Sequence, residues 1–264
     1  MNDQQGFRGA IFDVDGVLVD SPHEAAWRDV FSELMESGWA DIRDQTSWTA
    51  GAFTPEVYQQ VLSGKPRMEG AMAALEHFGV PDPETRVDAY AERKQEMVVE
   101  LIEAGKFSAY PDALRFLLAV KDAGIAVAAA SSSRNAGLFM RQIRLDELAA
   151  RDGLQYDWIE DGLTLLAAFD VDISGRHFER GKPHPEIFLT AAQELGIDPR
   201  AAFVVEDAVS GVQAAKAGAF AALGLARHDD AALLADADAD IVVSTLDDIN
   251  LAGLAAGRLA PLTG

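Results

Sequence analysis

Gly9-Ala10-Ile11-Phe12-Asp13-Val14-Asp15-Gly16-Val17 is the stretch on which the reading of this chain turns. Its apolar run, without polar alternation, describes a strand buried on both faces, as in the interior of a parallel sheet. The run ends in two aspartates followed by glycine, so the strand delivers carboxylates into a loop that needs backbone freedom. Aspartates at i and i+2 share one side of an extended chain. They can therefore address one reacting centre, one as nucleophile and the other as proton donor. Taken alone, Asp-x-Asp at a strand end is equally a turn-capping pattern.

Past this stretch the pattern changes. From Pro22 to about Gly105 helical periodicity dominates, with Trp27, Val30, Phe31 and Leu34 on one stripe and Val57, Tyr58, Val61 and Leu62 on another. After Tyr110-Pro111 the elements alternate: helix 113–123, strand 125–130, a helix from Asn135, strand 169–173, helix 185–195, strand 202–205, helix 209–217, strand 219–224 and strand 240–243. Such alternation predicts an α/β fold, a doubly wound parallel sheet with helices on both faces and its site outside the carboxyl ends of the strands. The helical block then reads as an insertion. Residues 1–21 with 106–264 are expected to form a catalytic α/β core, and residues 22–105 a helical cap. The stretch from Leu145 to Ala168 is rich in Asp, Glu and Gly and weakly periodic, and is expected to be a long surface excursion. The alanine and aspartate run from Asp229 to Asp240 reads as an exposed helix and turn.

Composition bounds the function. A chain of 264 residues suits one large domain or two unequal ones, and 49% hydrophobic with 25% charged residues describes a globular protein with a sizeable core. The 22 basic and 43 acidic residues leave a net charge of −21, which repels phosphate backbones and anionic lipid surfaces, so neither nucleic acid nor membrane is an expected partner. With no cysteine, disulfides, thiolate nucleophiles and Cys-ligated zinc are all excluded. Residues Met1 to Gly9 carry no basic stretch leading into an apolar run, and no segment approaches about 18 uninterrupted apolar residues. A cytoplasmic monomer acting on a small molecule is the expectation.

The ends of the expected strands carry the polar residues. They are Asp13 and Asp15, then Ser131-Ser132-Ser133, then Lys182 in Gly181-Lys182-Pro183, then Glu206-Asp207. A carboxylate from Glu206-Asp207, together with Asp13, suits Mg²⁺, which keeps waters and takes substrate phosphate oxygens. Ser131 can donate to a phosphoryl oxygen, and Lys182 can offset the charge developing on a transferring phosphoryl group. Separately, a serine run after a strand is often a helix N-cap, a lysine before proline is often solvated, and Glu-Asp after a strand is often a cap. The ordered recurrence at four strand ends points to a phosphoryl-transfer site that has no glycine-rich nucleotide loop.

These residues resemble the motifs of the haloacid dehalogenase superfamily, and within it the β-phosphoglucomutase group, over nearly the whole chain. The first motif is Asp13-Val14-Asp15-Gly16-Val17, the second Ser131, the third Lys182 in Lys182-Pro183-His184-Pro185-Glu186, and the fourth Val205-Glu206-Asp207 followed by Gly211 and Ala214-Ala215. The resemblance implies that Asp13 becomes an aspartyl-phosphate and Asp15 is the general acid/base. It also implies phosphate binding by Ser131, Ser132 and Lys182. Mg²⁺ would be held by Asp13, the backbone carbonyl of Asp15 and Asp207, with Glu206 close by. In the cap, His23, Trp27, Gly64, Arg67 and Lys94 resemble positions that hold a distal phosphate and sense closure, and Ser133-Arg134-Asn135 resembles an element that contacts phosphate and sugar. The implied reaction is Mg²⁺-dependent conversion of β-glucose 1-phosphate to glucose 6-phosphate through the 1,6-bisphosphate, with a sugar-phosphate phosphatase as the alternative. Three departures stand against the pattern: a short linker from Asp20 to His23, a long interval from Ser131 to Lys182, and Ala208 where serine is common. A hydrolytic dehalogenase needs neither Asp15 nor Mg²⁺, and receiver-type signalling domains lack an inserted helical cap.

Overall fold

The strands of this chain are short, two to five residues each. In the computed structural model, which describes residues 6–262 apart from Gly64 and Asp229, the strands in chain order are β1 (Gly9–Phe12), β2 (Val19–Asp20), β3 (Ser108–Ala109), β4 (Ala126–Ala129), β5 (Val171–Asp172), β6 (Ala202–Glu206), β7 (Ala221–Leu225) and β8 (Ile241–Val243). Six of them form one parallel sheet in the order β5-β4-β1-β6-β7-β8. The expected α/β class and doubly wound parallel sheet are what the chain adopts.

β1 is where the strand order reverses, with β4 on one side and β6 on the other. Phe12 lies level with both Ala129 and Val205, so the residues after these three strands emerge side by side at one edge. In open α/β sheets that reversal point is where sites form. All four residues of β1 and all five of β6 are buried. One face of the sheet packs Ile11, Ala128 and Val204 against Ile187, Phe188 and Val212. Aromatic contacts add to the packing, with Phe12 and Phe116 ring centroids 6.2 Å apart and Phe7 and Phe203 5.1 Å apart.

The chain divides into two compact units, one made of the residues up to Asp20 and from Ser108 onward, the other Ser21–Phe107. The inserted segment leaves and rejoins the first unit through β2 and β3, which pair antiparallel, Val19 opposite Ala109 and Asp20 opposite Ser108. Two-residue strands carry too little periodicity to be read from sequence. The second unit contains the helices His23–Glu36, Arg67–His77 and Pro83–Glu103 and no strand among its described residues. Phe31 sits at its centre, with ring centroids 4.8 Å from Phe78 and 5.2 Å from Tyr90, and the buried Tyr90 hydroxyl donates to the Trp27 carbonyl at 2.9 Å.

Two expectations need correction. The stretch from Leu145 to Ala168 contains the helices Leu145–Asp152 and Leu165–Ala168, and Leu145, Leu148, Ala149, Leu165 and Ala168 are buried. With so few turns in each, the apolar stripe is too brief to register as a period. β7 also starts later than the expected 219. Ala219 has φ +64°, a left-handed conformation that ends the helix Val209–Ala217 and delays entry into the sheet until Ala221. No helix among the described residues is long and apolar enough to cross a membrane.

Candidate functional site

Parallel register at the reversal point converts four distant sequence positions into neighbours. The Asp13 amide donates to the Val205 carbonyl at 3.1 Å, and the Ala130 amide to the Phe12 carbonyl at 2.8 Å, so the sheet ladder continues into the residues that carry polar groups. Asp13 is 6% exposed and Glu206 1%. Between them stands the Lys182 ammonium, which donates to Asp13 Oδ1 at 2.6 Å and also pairs with Glu206 Oε1. Lys182 arrives from the loop after β5, its Nζ lying 5.0 Å from the centre of the Phe188 ring. On the other side of β1, the Ser131 hydroxyl donates to Asp15 Oδ2 at 3.1 Å. Ser131 is itself held, its Oγ accepting from the Ser133 amide at 3.0 Å and its amide donating to Ser174 Oγ at 3.3 Å.

Two glycines are required by space. Gly16 has φ +86°, and a Cβ there would lie 1.9 Å from Asp207 Oδ2. A Cβ on Gly211 would lie 1.9 Å from the Glu206 carboxyl. The first turn of the helix Val209–Ala217 therefore closes directly on Glu206, whose Oε2 accepts from the Ala208 amide at 3.1 Å.

The electrostatics follow from four carboxylates, Asp13, Asp15, Glu206 and Asp207, gathered near one ammonium. Burial works against the Lys182 charge, but Asp13 and Glu206 more than compensate and hold its pKa above the ordinary lysine value. Burial pushes the Asp13 carboxyl up, opposed by Lys182 and reinforced by Asp15. Asp207 is pushed furthest, well above the usual carboxylate range, by burial and then by the charges of Glu206 and Asp13. This excess of negative charge is what a divalent cation would neutralise. No three carboxylate or imidazole groups among the described residues converge as a ready metal cage. Mg²⁺ does not need one, since it binds through one or two carboxylates and keeps waters and phosphate oxygens for its other positions. The residues fit Mg²⁺ on that basis.

The remaining expected site residues fall into two groups. In the first unit, Ser132 and Arg134 are exposed, whereas Asn135 is buried and its amide donates to Ser133 Oγ at 3.2 Å. In the second unit, Lys94 is 5% exposed, 3.2 Å from His23 Nδ1 and 4.5 Å from the centre of the Trp27 ring. Burial, then the Lys94 charge, hold the His23 imidazole well below its ordinary pKa. Trp27 is also a packing residue, its ring centroid 5.0 Å from Tyr90. Arg67 opens the helix Arg67–His77 and is partly exposed. Gly64 lies outside the described residues. The motif reading did not single out Ser174, Arg227 or Asp112. Each hydrogen-bonds to residues at or beside the site, and a serine, an arginine or an aspartate in a loop or at a helix start carries no spacing signal of its own.

A family model described as haloacid dehalogenase-like hydrolase matches residues 7–218. A β-phosphoglucomutase of Mycobacterium bovis is 32% identical over 258 residues, covering 92% of this chain and 91% of the relative. A phosphorylated carbohydrates phosphatase of Thermotoga maritima is 28% identical over 207 residues, covering 78% of this chain and 79% of the relative. Among solved structures, an archaeal β-phosphoglucomutase from Pyrococcus aligns with a TM-score of 0.68 at 29% identity, covering 95% of this chain and 99% of that one. The match runs through the strand ends that gather Asp13, Ser131, Lys182 and Glu206, and on it the chain belongs to the haloacid dehalogenase-like hydrolase family.

Proposed function

We propose that the chain transfers phosphoryl groups through an aspartyl-phosphate on Asp13, acting as a β-phosphoglucomutase-type sugar-phosphate mutase. The observation that carries the reading is the pairing at the sheet edge: Asp13 against the Lys182 ammonium, and Asp15 against the Ser131 hydroxyl. Asp13 would attack the 1-phosphate of the 1,6-bisphosphate as its bond to the sugar oxygen breaks, and Asp15, as the acid, would give that oxygen its proton, releasing glucose 6-phosphate. In the second step the 6-hydroxyl of an incoming β-glucose 1-phosphate would attack the aspartyl-phosphate while Asp15 takes the proton back, which frees Asp13 and forms the 1,6-bisphosphate again. Lys182 and Ser131 would face the transferring phosphoryl oxygens and offset their charge. Bound Mg²⁺, held by the Asp13 and Asp207 carboxylates and the Asp15 carbonyl with Glu206 nearby, would supply further charge neutralisation at the phosphoryl group.

The helical unit carries the finer assignment. Arg67 and Lys94 are proposed to hold the distal phosphate of the bisphosphate, with His23 and Trp27 completing that subsite and Ser132, Ser133, Arg134 and Asn135 contributing contacts to phosphate and sugar. Arginine suits a phosphate because its planar fork binds two oxygens together. A mutase differs from a phosphatase in keeping water away from the aspartyl-phosphate. The mycobacterial relative, similar over almost its whole length, supports the mutase, and the Thermotoga phosphatase supports hydrolysis as the second reading.

A ³¹P NMR time course separates the two. The purified protein is incubated with Mg²⁺, β-glucose 1-phosphate and a trace of the 1,6-bisphosphate. Growth of glucose 6-phosphate with little free phosphate is the expected result. Free phosphate alone would make the protein a phosphatase, and an unchanged spectrum would overturn the choice of sugar.

A further inference from the structure

Arg227 follows β7 and belongs to none of the four motif groups, yet its guanidinium meets two backbone carbonyls, a carboxylate and an aromatic ring. Its side chain is 9% exposed. Nη1 donates to Asp112 Oδ2 at 2.9 Å, Nη2 to the Val17 carbonyl at 3.1 Å and Nε to the Gly16 carbonyl at 3.4 Å, while the guanidinium carbon lies 3.9 Å from the centre of the Tyr110 ring. The two carbonyls belong to the tight turn directly after Asp13 and Asp15. In that turn the Leu18 and Val19 amides donate to the Val14 carbonyl at 2.9 and 3.0 Å, and the Gly16 amide donates to the Val19 carbonyl at 2.8 Å.

The far end of the clamp is equally fixed. Asp112, in the first turn of the helix Pro111–Asp122, also accepts from Thr245 Oγ1 at 3.1 Å and from the Leu246 amide at 2.9 Å. Burial alone would raise the Asp112 pKa, but Arg227 and these donors hold it below the usual value, so the pair stays charged. Only a planar guanidinium offers donors in three directions at once; a lysine ammonium at the end of a flexible stem does not reproduce the fork. Because the Gly16 backbone sits against Asp207, a shift of this turn moves the surroundings of Asp15 and Asp207 together.

We propose that Arg227 is a positioning residue that ties the Gly16 and Val17 carbonyls to Asp112 and so fixes the turn that aims Asp15 at the group reacting on Asp13. The proposal rests on the assignment of Asp13 and Asp15 made above. Its test needs variants that separate anchoring from stability, since Arg227→Met alone leaves a buried carboxylate without its partner. Arg227→Met combined with Asp112→Asn removes both charges and keeps an acceptor for the Leu246 amide. Arg227→Lys keeps the charge without the fork.

Amide hydrogen exchange of Leu18 and Val19 is measured alongside kcat and KM for β-glucose 1-phosphate and the melting temperature. For the double variant we expect a melting temperature within about 5 °C of the parent. We expect Leu18 and Val19 to exchange roughly tenfold faster. We also expect a kcat lowered by about ten- to a hundredfold, with KM changed by less than about twofold. Arg227→Lys falls between. Unaltered exchange at Leu18 and Val19, or a double variant with the parent kcat, overturns the proposal. If the parent protein transfers no phosphoryl group at all, the proposed function fails, and the exchange measurement alone upholds or overturns the clamp.

Discussion

Lys182 is the residue on which the electrostatics of the site balance. Its ammonium is the cation paired with both Asp13 and Glu206, so the group that would meet the phosphoryl oxygens also opposes the upward push of burial on the Asp13 carboxyl. Asp13→Asn keeps the shape and removes the proposed nucleophile. Phosphoryl transfer is expected to fall by at least about a thousandfold, measured as initial rate, because covalent catalysis has no substitute group there. A second prediction concerns His23. With its folded pKa depressed by burial and by Lys94, the folded protein keeps the imidazole neutral while the unfolded chain takes a proton below about pH 6.5. Stability is therefore complete above that pH and declines as pH falls towards the folded pKa, with a slope of up to about 1.4 kcal/mol per pH unit from this group. NMR titration of the ring should place it below the ordinary histidine value, and Lys94→Met should raise it and flatten the acid limb of the melting curve. The sequence made Asp13, Asp15, Ser131 and Glu206 legible because each ends or closely follows a strand, and Lys182, in the loop after β5, through its Gly181-Lys182-Pro183 setting. It did not make Arg227 or Asp112 legible, because their task is defined only by what lies across the sheet edge.

At the scale of elements, legibility follows length. β1 and β6 are readable as short apolar runs and residues 22–105 as a helical block, whereas β2 and β3, two residues each, leave no pattern to detect. The helix Leu145–Asp152 is the instructive case. The Asp, Glu and Gly content and weak periodicity of its stretch suggest a surface excursion, but Leu145 is fully buried, and its region carries part of the core. Leu145→Ala is expected to cost about 2–4 kcal/mol by removal of packed methyl groups and the cavity left behind, read from chemical denaturation. A residue on a surface excursion would stay within about 0.5 kcal/mol.

For the whole molecule the net charge of −21 sets the background against which a divalent cation would bind. Mg²⁺ bound by the folded state alone stabilises it by mass action, about 2.7 kcal/mol at a hundredfold excess over Kd. Melting curves are therefore expected to rise with Mg²⁺ beyond what a monovalent salt of equal ionic strength produces. Asp207→Asn should abolish that difference while raising the metal-free melting temperature, because one crowded carboxylate is gone. Equal responses to both salts would count against a specific Mg²⁺ site. The antiparallel pair formed by Val19–Asp20 and Ser108–Ala109 has a consequence of another kind. Neighbouring strands stand about 4.8 Å apart, so the entry and exit of the inserted segment are close enough for a single tight turn to join them. The segment Ser21–Phe107 can then be lost, lengthened or exchanged at two junctions that are far apart in the gene and adjacent in space, without disturbing the order of the sheet.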